Sequence, residues 1–517
     1  MVGPCLTDSI SYFIVYVNVF FFPSICYNYF MPLDDIRNER LKKLETLKEK
    51  GIDPYPAKTG RKFSIAEILK KFVTLAKSKK PVAAAGRVMA RREHGGSTFF
   101  DVVDASGKIQ GFAKEDVLRE QYELFLETID IGDFIEIEGS LFETKREEKT
   151  IEVSRWAMLA KSLLPLPEKW HGLQDVEERF RKRYLDLLMN EDVRRRFELR
   201  SRLIAAIRKF HEKNQFLEVE TPMLHPIPGG ALAKPFVTHH NALAIDLYLR
   251  MAPELYLKRL LVGGFGRVFE IGKCFRNEGI DMTHNPEFTM LEAYAAYWDE
   301  EQMMSFVEDL FMALAKEFGE EGELEIEGKA IVFKKPFTHI SFKDLLARYA
   351  LISDYGNETA ESLRVRAKQL GVELGKEELT KGKIADEIYK KICRPYLIQP
   401  TFIVHHPLEI SPLAKKRSRD SNEVRRFQLI LGMAELVNGF SELNDPLDQR
   451  TRFEAQEKVR EGGDEEAHRV DEEYIEAMEY GMPPAAGIGI GIDRLAMLFS
   501  GVKNIKEVVL FPTMRPR

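Results

Sequence analysis

Cysteine and tryptophan are scarce, at 4 and 3 of 517 residues. Cys5, Cys26, Cys274 and Cys393 lie far apart with no CxxC pair, which excludes a disulfide framework and a zinc knuckle and makes a reducing cytosol the expected setting. Glycine and proline, 34 and 24, are too few and scattered for a collagenous or low-complexity chain. No GxxxxGK[ST] occurs, and Gly487, Gly489 and Gly491 alternate rather than forming GxGxxG, so P-loop and Rossmann nucleotide binding are not expected. Charge is nearly missing from residues 1–30, which carry only Asp8, and Ile10 to Phe22 is apolar except for Ser11 and Asn18. That run falls short of the ~18 to 20 residues that span a bilayer, no Lys or Arg precedes it, and Pro23 interrupts it, which argues against a membrane span or signal peptide.

The remainder, 44% hydrophobic and 31% charged overall, is long enough for two to four well-cored domains. The net charge of −6 conceals a polarised distribution: Met31 to Arg92 holds 17 Lys plus Arg against 7 Asp plus Glu, or 17 − 7 = +10. Residues 34–50 read as a helix with Ile36, Arg40, Leu44 and Leu47 along it, Asp34 and Asp35 in its first turn and Gly51 past its end. From 82 to 160, short alternating runs (VAAAGRVMA, TFFDVVD, KIQGFA, DFIEIEGSLFE, TIEVSRWAML), with a helical stretch near 115–128, predict a small antiparallel barrel of the OB type. Arg91, Arg92, Phe99, Phe100 and Gln110 are candidates for stacking and reading single-stranded nucleic acid.

Pro165, Pro167 and the polar run to Glu178 read as a linker into a larger domain. There FLEVETPML alternates like a strand that Pro222 restricts to an edge, and residues 300–330 and 358–395 read as helical. Arg250 to Tyr297 interleaves strand patterning with Glu254, Glu270, Arg276, Glu278, His284, Glu287 and Glu292, more charge than core strands tolerate without a polar cavity. Residues 425–445 repeat the pattern with Glu435, Asn438 and Glu442. In GIGIGIDRLAMLF the glycines at period two leave one strand face bare, where a flat ligand such as adenine could lie against the backbone.

FLEVETPML with Pro222, FRNEGIDMTHNPEF with Arg276 and GIGIGIDRLAML with Arg494 resemble, in order, the three signature motifs of class II aminoacyl-tRNA synthetases. GGALAKPFVTHHN, RMAPELYLKR, HPLEISPLAK and NGFSELNDP resemble segments of the bacterial-type lysine enzymes, and the resemblance runs from Met31 to Arg517. It implies an α+β fold: an N-terminal OB-fold barrel for the anticodon, and a catalytic domain built on an antiparallel sheet flanked by helices. The expected division is an extension over 1–30, either non-native through an upstream start or disordered, a basic helical arm over 31–80 running along the tRNA, the barrel over 81–164, a linker over 165–178, and the catalytic domain over 179–517 with a helical insertion at about 300–395. The implied reaction activates L-lysine with ATP and Mg²⁺, then transfers lysine to the 3′-terminal adenosine of tRNA(Lys), in the cytoplasm, as a homodimer, with no membrane partner.

By the same resemblance Arg276 meets the α-phosphate and lysine carboxylate, where a planar fork outperforms Lys. Arg494 holds the γ-phosphate side with His284, Phe288 stacks under adenine and Glu278 meets its amino group. Gly230, Glu254, Glu292, Tyr294, Asn438, Phe440 and Glu442 line the lysine pocket, with Glu254 on the α-amino group and Glu442 with Tyr294 on the ε-amino group. Glu435 binds Mg²⁺ with Glu442 near. Family members commonly carry a carboxylate where this chain has Gln428, a weaker ligand for a hard cation, so the metal is expected to lean on phosphate and water. In the barrel, Arg92, Phe99 and Gln110 match positions that recognise the central anticodon uridine. The rival readings are an aspartyl- or asparaginyl-type enzyme, disfavoured because an acidic substrate wants a cation where Glu442 stands; a paralogue that lysylates protein; and a non-catalytic RNA-binding paralogue.

Overall fold

The computed structural model describes residues 32–167, 173, 175–231, 233–319, 323–326, 328–375, 379–461 and 469–516. The extension expected over 1–30 lies outside the described residues. The chain divides into two compact units, Met1–Glu168 and Lys169–Arg517.

In the first unit β1 (Val82–Glu93), β2 (Ser97–Asp104), β3 (Gly107–Lys114), β4 (Phe134–Glu143) and β5 (Lys149–Ala160) close into a barrel in the order β1-β2-β3-β5-β4. The OB-type expectation is met, with one difference: β3 and β5 pair in parallel, which closes the cylinder. Alternation points Phe100, Val102, Ile109, Ile135, Ile137, Ile151 and Val153 inward. Helix α4 (Glu120–Thr128) adds Phe125, whose ring meets Phe100 at 5.1 Å and Trp156 at 5.7 Å between centroids.

The segment expected as a separate basic arm instead joins this core. Leu47 of α1 (Leu33–Glu49), Ile65 and Ile68 of α2 (Ile65–Lys70) and Phe72 of α3 (Phe72–Ser78) pack with the barrel's inner residues. Arg40 is buried and donates to the carbonyls of Ile131, Ser162 and Leu164, each at 3.0 Å. Part of the +10 therefore holds the helix to the barrel, and the Lys42 and Lys48 faces stay in solvent.

In the second unit eight strands form one sheet. They are β6 (Leu217–Glu218), β7 (Arg267–Phe275), β8 (Glu287–Ala296), β9 (Thr338–Ser341), β10 (Thr401–Val404), β11 (Arg426–Leu431), β12 (Ala434–Ser441) and β13 (Ala485–Gly491), in the order β9-β10-β11-β12-β13-β8-β7-β6. The six middle strands are antiparallel and both edge pairs, β9/β10 and β7/β6, are parallel. One face is apolar: Leu291, Ala293, Ala295, Val437, Ile488 and Ile490 are buried against α5 (Glu191–Lys213), α7 (Glu300–Phe318) and α11 (Ile492–Ser500). The opposite face carries the site, because successive side chains on each strand point to opposite sides.

Three sequence expectations need correction. FLEVETPML is not a continuous strand: only Leu217–Glu218 joins the sheet, and Leu224–His225 belongs to a small sheet with Val237–His240 and Ile245–Leu249. Residues 300–395 are not one helical insertion. Helix α7, capped by a reciprocal Asp299–Gln302 box, buries Met303, Phe306, Val307, Leu310 and Phe311 in the main core; a hairpin follows at Glu323–Val332, and β9 joins the sheet. Helices α8 (Phe342–Ala350), α9 (Ala360–Gln369) and α10 (Lys381–Ile388), with the helical turn Tyr389–Cys393, make a helical subdomain around a second core that Ile403 and Ile430 of the sheet also enter. In the expected linker, residues 168–172 and 174 lie outside the described residues, while Val176–Arg181 is helical under an Asp175 cap.

Candidate active site

The polar face of the sheet lines a cavity of about 310 Å³, walled by residues from the second and third motifs and from the 425–445 segment. Strand register explains why. Gly489 lies between Glu292 and Asn438 on the flanking strands, and Gly487 between Tyr294 and Phe440. The glycines clear the floor while their neighbours supply walls. At Gly487, however, the bare face is not left for a flat ligand: a Cβ there would strike the Tyr294 ring and Glu442 Oε1. At Gly489 it would meet the tip of Met290 at 2.8 Å. On the rim Gly230 has φ +82°, and a Cβ there would stand 3.2 Å from the Cβ atoms of Ala252 and Glu254, so both backbone and space favour glycine.

Of the residues expected at the ATP end, Arg276, Glu278, His284, Phe288, Glu435 and Arg494 all reach the cavity. Arg276 follows β7, and its guanidinium lies 5.0 Å from the Phe288 ring centre. Its Nε is buried without a hydrogen-bond partner, a cation left open to an anion. Arg494 stands in the first turn of α11, where Asp493 fixes the helix start by accepting from Arg200 Nη2 at 2.5 Å and from the Thr289 amide at 2.6 Å. Arg494 donates to the Glu435 carbonyl at 3.3 Å, and its Nη2 lies 3.1 Å from His284 Nε2. On its other side His284 Nδ1 is 2.8 Å from Asp281 Oδ2. Burial opposes the Asp281 charge, but hydrogen bonds from the Thr283 amide and from His284 outweigh it and hold that carboxyl down at about 2. Asp281 thus accepts a hydrogen bond from His284 Nδ1–H and turns Nε2 toward Arg494, an orientation sequence reading did not assign.

The amino-acid end is a cluster of buried charge. Glu254 and Glu292 line the cavity with Gly230, Tyr294, Asn438 and Phe440. Tyr294 donates its hydroxyl to Glu292 at 2.9 Å. Asn438 accepts from Arg426 Nε at 2.8 Å, which leaves its amide hydrogens as donors. Glu442 lies just behind the wall, 1% exposed. Between Glu254 and Glu442 sits Lys258, fully buried on α6 (Glu254–Val262), its Nζ 2.5 Å from Glu254 Oε1 and 2.5 Å from Glu442 Oε2. Burial alone would lower the Lys258 pKa, but the two carboxylates reverse that and hold the ammonium charged. Burial pushes Glu442 up to about 8 against the pull of Lys258, and it pushes Glu292 well above the carboxylate range, with Glu254 adding to it.

These contacts correct the expected metal set. Glu442 cannot serve as a metal ligand beside Glu435, because its carboxylate is committed to Lys258 behind the wall. Gln428 does not face the cation end either: its amide oxygen is buried, accepting from the Tyr389 hydroxyl at 3.2 Å and lying 3.2 Å from His406 Nε2. Burial keeps His406 neutral, its pKa down at about 3. Glu435 and Glu278 both present carboxylates to the ATP end, and Glu435 is the one that stands beside Arg494, which donates to its carbonyl. Two other charged candidates are structural: Glu270 pairs with buried Arg250, and Glu287 meets Lys273 at 3.2 Å. Sequence reading missed Lys258 and Arg426. The i,i+4 spacing from Glu254 was a visible signal for the first.

On the barrel, Arg92 of β1 pairs in register with Phe99 of β2 and is exposed. Phe99 is half-buried and already stacked on Phe112, with ring centres 4.2 Å apart and planes at 16°. Gln110 is 7% exposed; its amide donates to Glu148 at 3.0 Å and accepts from Thr150 at 3.0 Å. Phe100 and Arg91 do not contribute a binding surface: Phe100 points into the core, and Arg91 donates to the carbonyls of Ile129 and Leu126.

Residues 175–515 match the family model described as tRNA synthetases class II (D, K and N), and residues 82–159 match the one described as OB-fold nucleic acid binding domain. The lysine--tRNA ligase of Pelotomaculum thermopropionicum is 48% identical over 487 residues, covering 94% of this chain and 96% of that protein. That of Carboxydothermus hydrogenoformans is 48% identical over 486 residues, 94% of this chain and 99% of the relative. The lysine--tRNA ligase of Roseiflexus sp. is 47% identical over 491 residues, 94% and 100%.

Proposed function

The chain belongs to the class II tRNA synthetases of the D, K and N group, and from that membership we propose the following account of what it joins and how: it ligates lysine to tRNA, in two steps that share one cavity. In the first, the lysine carboxylate attacks the α-phosphorus of ATP, forming lysyl-adenylate as pyrophosphate leaves. In the second, the terminal ribose hydroxyl of the tRNA attacks the adenylate carbonyl and AMP departs. Such transfers ask the protein chiefly for alignment and electrostatic stabilisation.

The observation that carries the lysine assignment is the buried group of Glu254, Glu292 and Glu442 next to the open guanidinium of Arg276. Carboxylates at one end and a cation at the other match the ammonium and carboxylate groups of a basic amino acid. An aspartate side chain would meet like charge where lysine meets its counter-ion, and asparagine would leave buried carboxylates unpaired. Arg276 bridges the lysine carboxylate and α-phosphate, and Arg494 with His284 takes the terminal phosphates. Phe288 lies beneath adenine and Glu278 meets its amino group.

ATP is a substrate of this family's reaction. The donors at the ATP end suit Mg²⁺ held mainly by phosphate oxygens and water, with Glu435 as the protein's ligand, which is how a hard, reluctantly dehydrated ion is usually bound. The ion would supply charge neutralisation on the phosphates. The barrel, through Arg92, Phe99 and Gln110, receives the anticodon of tRNA(Lys).

A homodimer is supported by exposed apolar side chains around the first motif: Leu217, Met223, Leu224, Val237, Leu243 and Ile245. Among the described residues no helix is long and apolar enough to cross a membrane, and we place the reaction in the cytoplasm, where tRNA is charged for translation. The discriminating experiment is ATP–pyrophosphate exchange with lysine, aspartate and asparagine in turn, followed by charging of purified tRNA. Exchange with lysine alone is expected; exchange driven by either of the others, or by none, overturns the assignment.

A further inference from the structure

The cavity's amino-acid end holds three carboxylates and one resident ammonium. Glu254, Glu292 and Glu442 are each 6% exposed or less, and Lys258 is fully buried between the first and third of them. Both ion pairs are 2.5 Å long, and Lys258 also faces the rings of Phe440 at 5.2 Å and Tyr294 at 6.0 Å. Water is excluded from its Nζ, so the ammonium has no competing partner. An interior that dry does not hold uncompensated charge.

We infer that Lys258 is a specificity-determining positioning residue: its ammonium cancels one of the three carboxylates and leaves two negative charges for the substrate to meet, the number of ammonium groups that lysine carries. The inference rests on the lysine assignment made above and adds to it a role for a side chain that touches the substrate's partners rather than the substrate. The α-amino acid's own carboxylate is met separately, by Arg276.

The charge count has a consequence for protons. In the empty cavity two carboxylates lack a cation, and protons take that place. The groups facing them are few. Glu292 looks toward Glu254, Tyr294, Lys258, Arg276 and the Cys274 thiol, which burial pushes up to about 12. Glu442 looks toward Lys258, Glu254 and the Tyr294 and Tyr474 hydroxyls. Neither phenol nor thiol ionises near neutrality here, because burial raises all three. The upward shifts of Glu292 and Glu442 agree with a protonated empty pocket. Two substrate ammoniums then displace two protons, which leave to solvent, and the pocket's net charge balance is kept.

The sign follows. Where the free pocket is protonated and the occupied one is not, raising the pH favours binding, so the KM for lysine falls as pH rises toward 8. Without Lys258, all three carboxylates need protons in the empty state; the substrate's two ammoniums displace two of them, and the third proton stays in the occupied pocket.

Three measurements test this. The unaltered protein, mixed with lysine at pH 6 in weak buffer, is expected to release nearly two protons per occupied site; release of none overturns the inference. Lys258→Met is expected still to release nearly two protons on binding lysine, and in lysine-dependent ATP–pyrophosphate exchange to raise the KM for lysine at least tenfold while leaving the KM for ATP within about twofold. Lys258→Arg keeps the charge and is expected to hold the KM for lysine within about threefold of the unaltered protein. A folded Lys258→Met with an unchanged KM for lysine, or a Lys258→Arg as impaired as Lys258→Met, overturns the inference. Should Lys258→Met not fold, the proton release of the unaltered protein and Lys258→Arg decide. Failure of the wild-type protein to exchange with lysine at all would overturn the functional assignment instead, and is separable from these outcomes.

Discussion

The cavity on the sheet and the aromatic face of the barrel both await a ligand, but they wait differently. In the cavity, polar groups are left open: Arg276 Nε is buried without a hydrogen bond, and Glu442 holds only its ion pair with Lys258. On the barrel, the corresponding groups are already satisfied, with Gln110 bonded to Glu148 and Thr150 and Phe99 stacked on Phe112. The first is preorganised around missing charges, so its ligand gains strong interactions at the cost of displaced protons rather than of broken side-chain contacts. On the proposed anticodon reading the second works by exchange: a base would replace Glu148 at Gln110 and share Phe99 with its neighbour, which yields modest affinity per contact and readable selectivity.

Four substitutions would break or sharpen that contrast, and their expected effects descend in this order. Arg276→Ala removes the open cation, and lysine-dependent exchange is expected to fall ~10² to 10³-fold in kcat, the usual loss for one oriented electrostatic group; a drop under tenfold would end its role as the clamp. Gly487→Ala pushes a methyl into Tyr294 and Glu442, an overpacking strain of ~1 to 3 kcal/mol. It should appear as a KM for lysine raised about tenfold or more with the KM for ATP little changed, and equal effects on both would contradict a pocket built around that glycine. Phe99→Ala is expected to lower kcat/KM for tRNA charging about tenfold, within the ~1 to 3 kcal/mol of a base stack, while exchange stays intact. Parallel losses in both assays would deny the two units separate tasks. Glu148→Ala releases the Gln110 amide, and charging should improve by no more than about threefold; a large loss would mean Glu148 itself contacts RNA.

Much of the site was legible because the chemistry is local in sequence. Glycines at 487, 489 and 491 announced a bare strand face, and the flanking Glu292, Tyr294, Asn438 and Phe440 sit opposite them by register. The barrel's five strands were legible through alternation. What escaped was pairing between distant segments. Nothing near Glu442 says that Lys258 reaches it, and Gln428 looked like a weakened metal ligand until Tyr389 and His406 claimed its oxygen. Phe99 and Phe100 are equivalent by composition, and only register turns one out and the other in. The basic front misled for a related reason: a charge sum does not reveal that Arg40 spends its guanidinium on three barrel carbonyls.

Strand β13 is also a ruler. Its glycines place the Glu292–Asn438 pair and the Tyr294–Phe440 pair two residues apart along the strand, a step of ~6.7 Å at the usual rise. That interval is close to the reach of an extended four-carbon side chain between its two nitrogens. In the proposed lysine pose, length as well as charge would then be gauged by the spacing of the strand backbone. A homologue one methylene shorter, carrying the same two ammoniums, would satisfy one end and fall short of the other, for a penalty of ~1 to 3 kcal/mol.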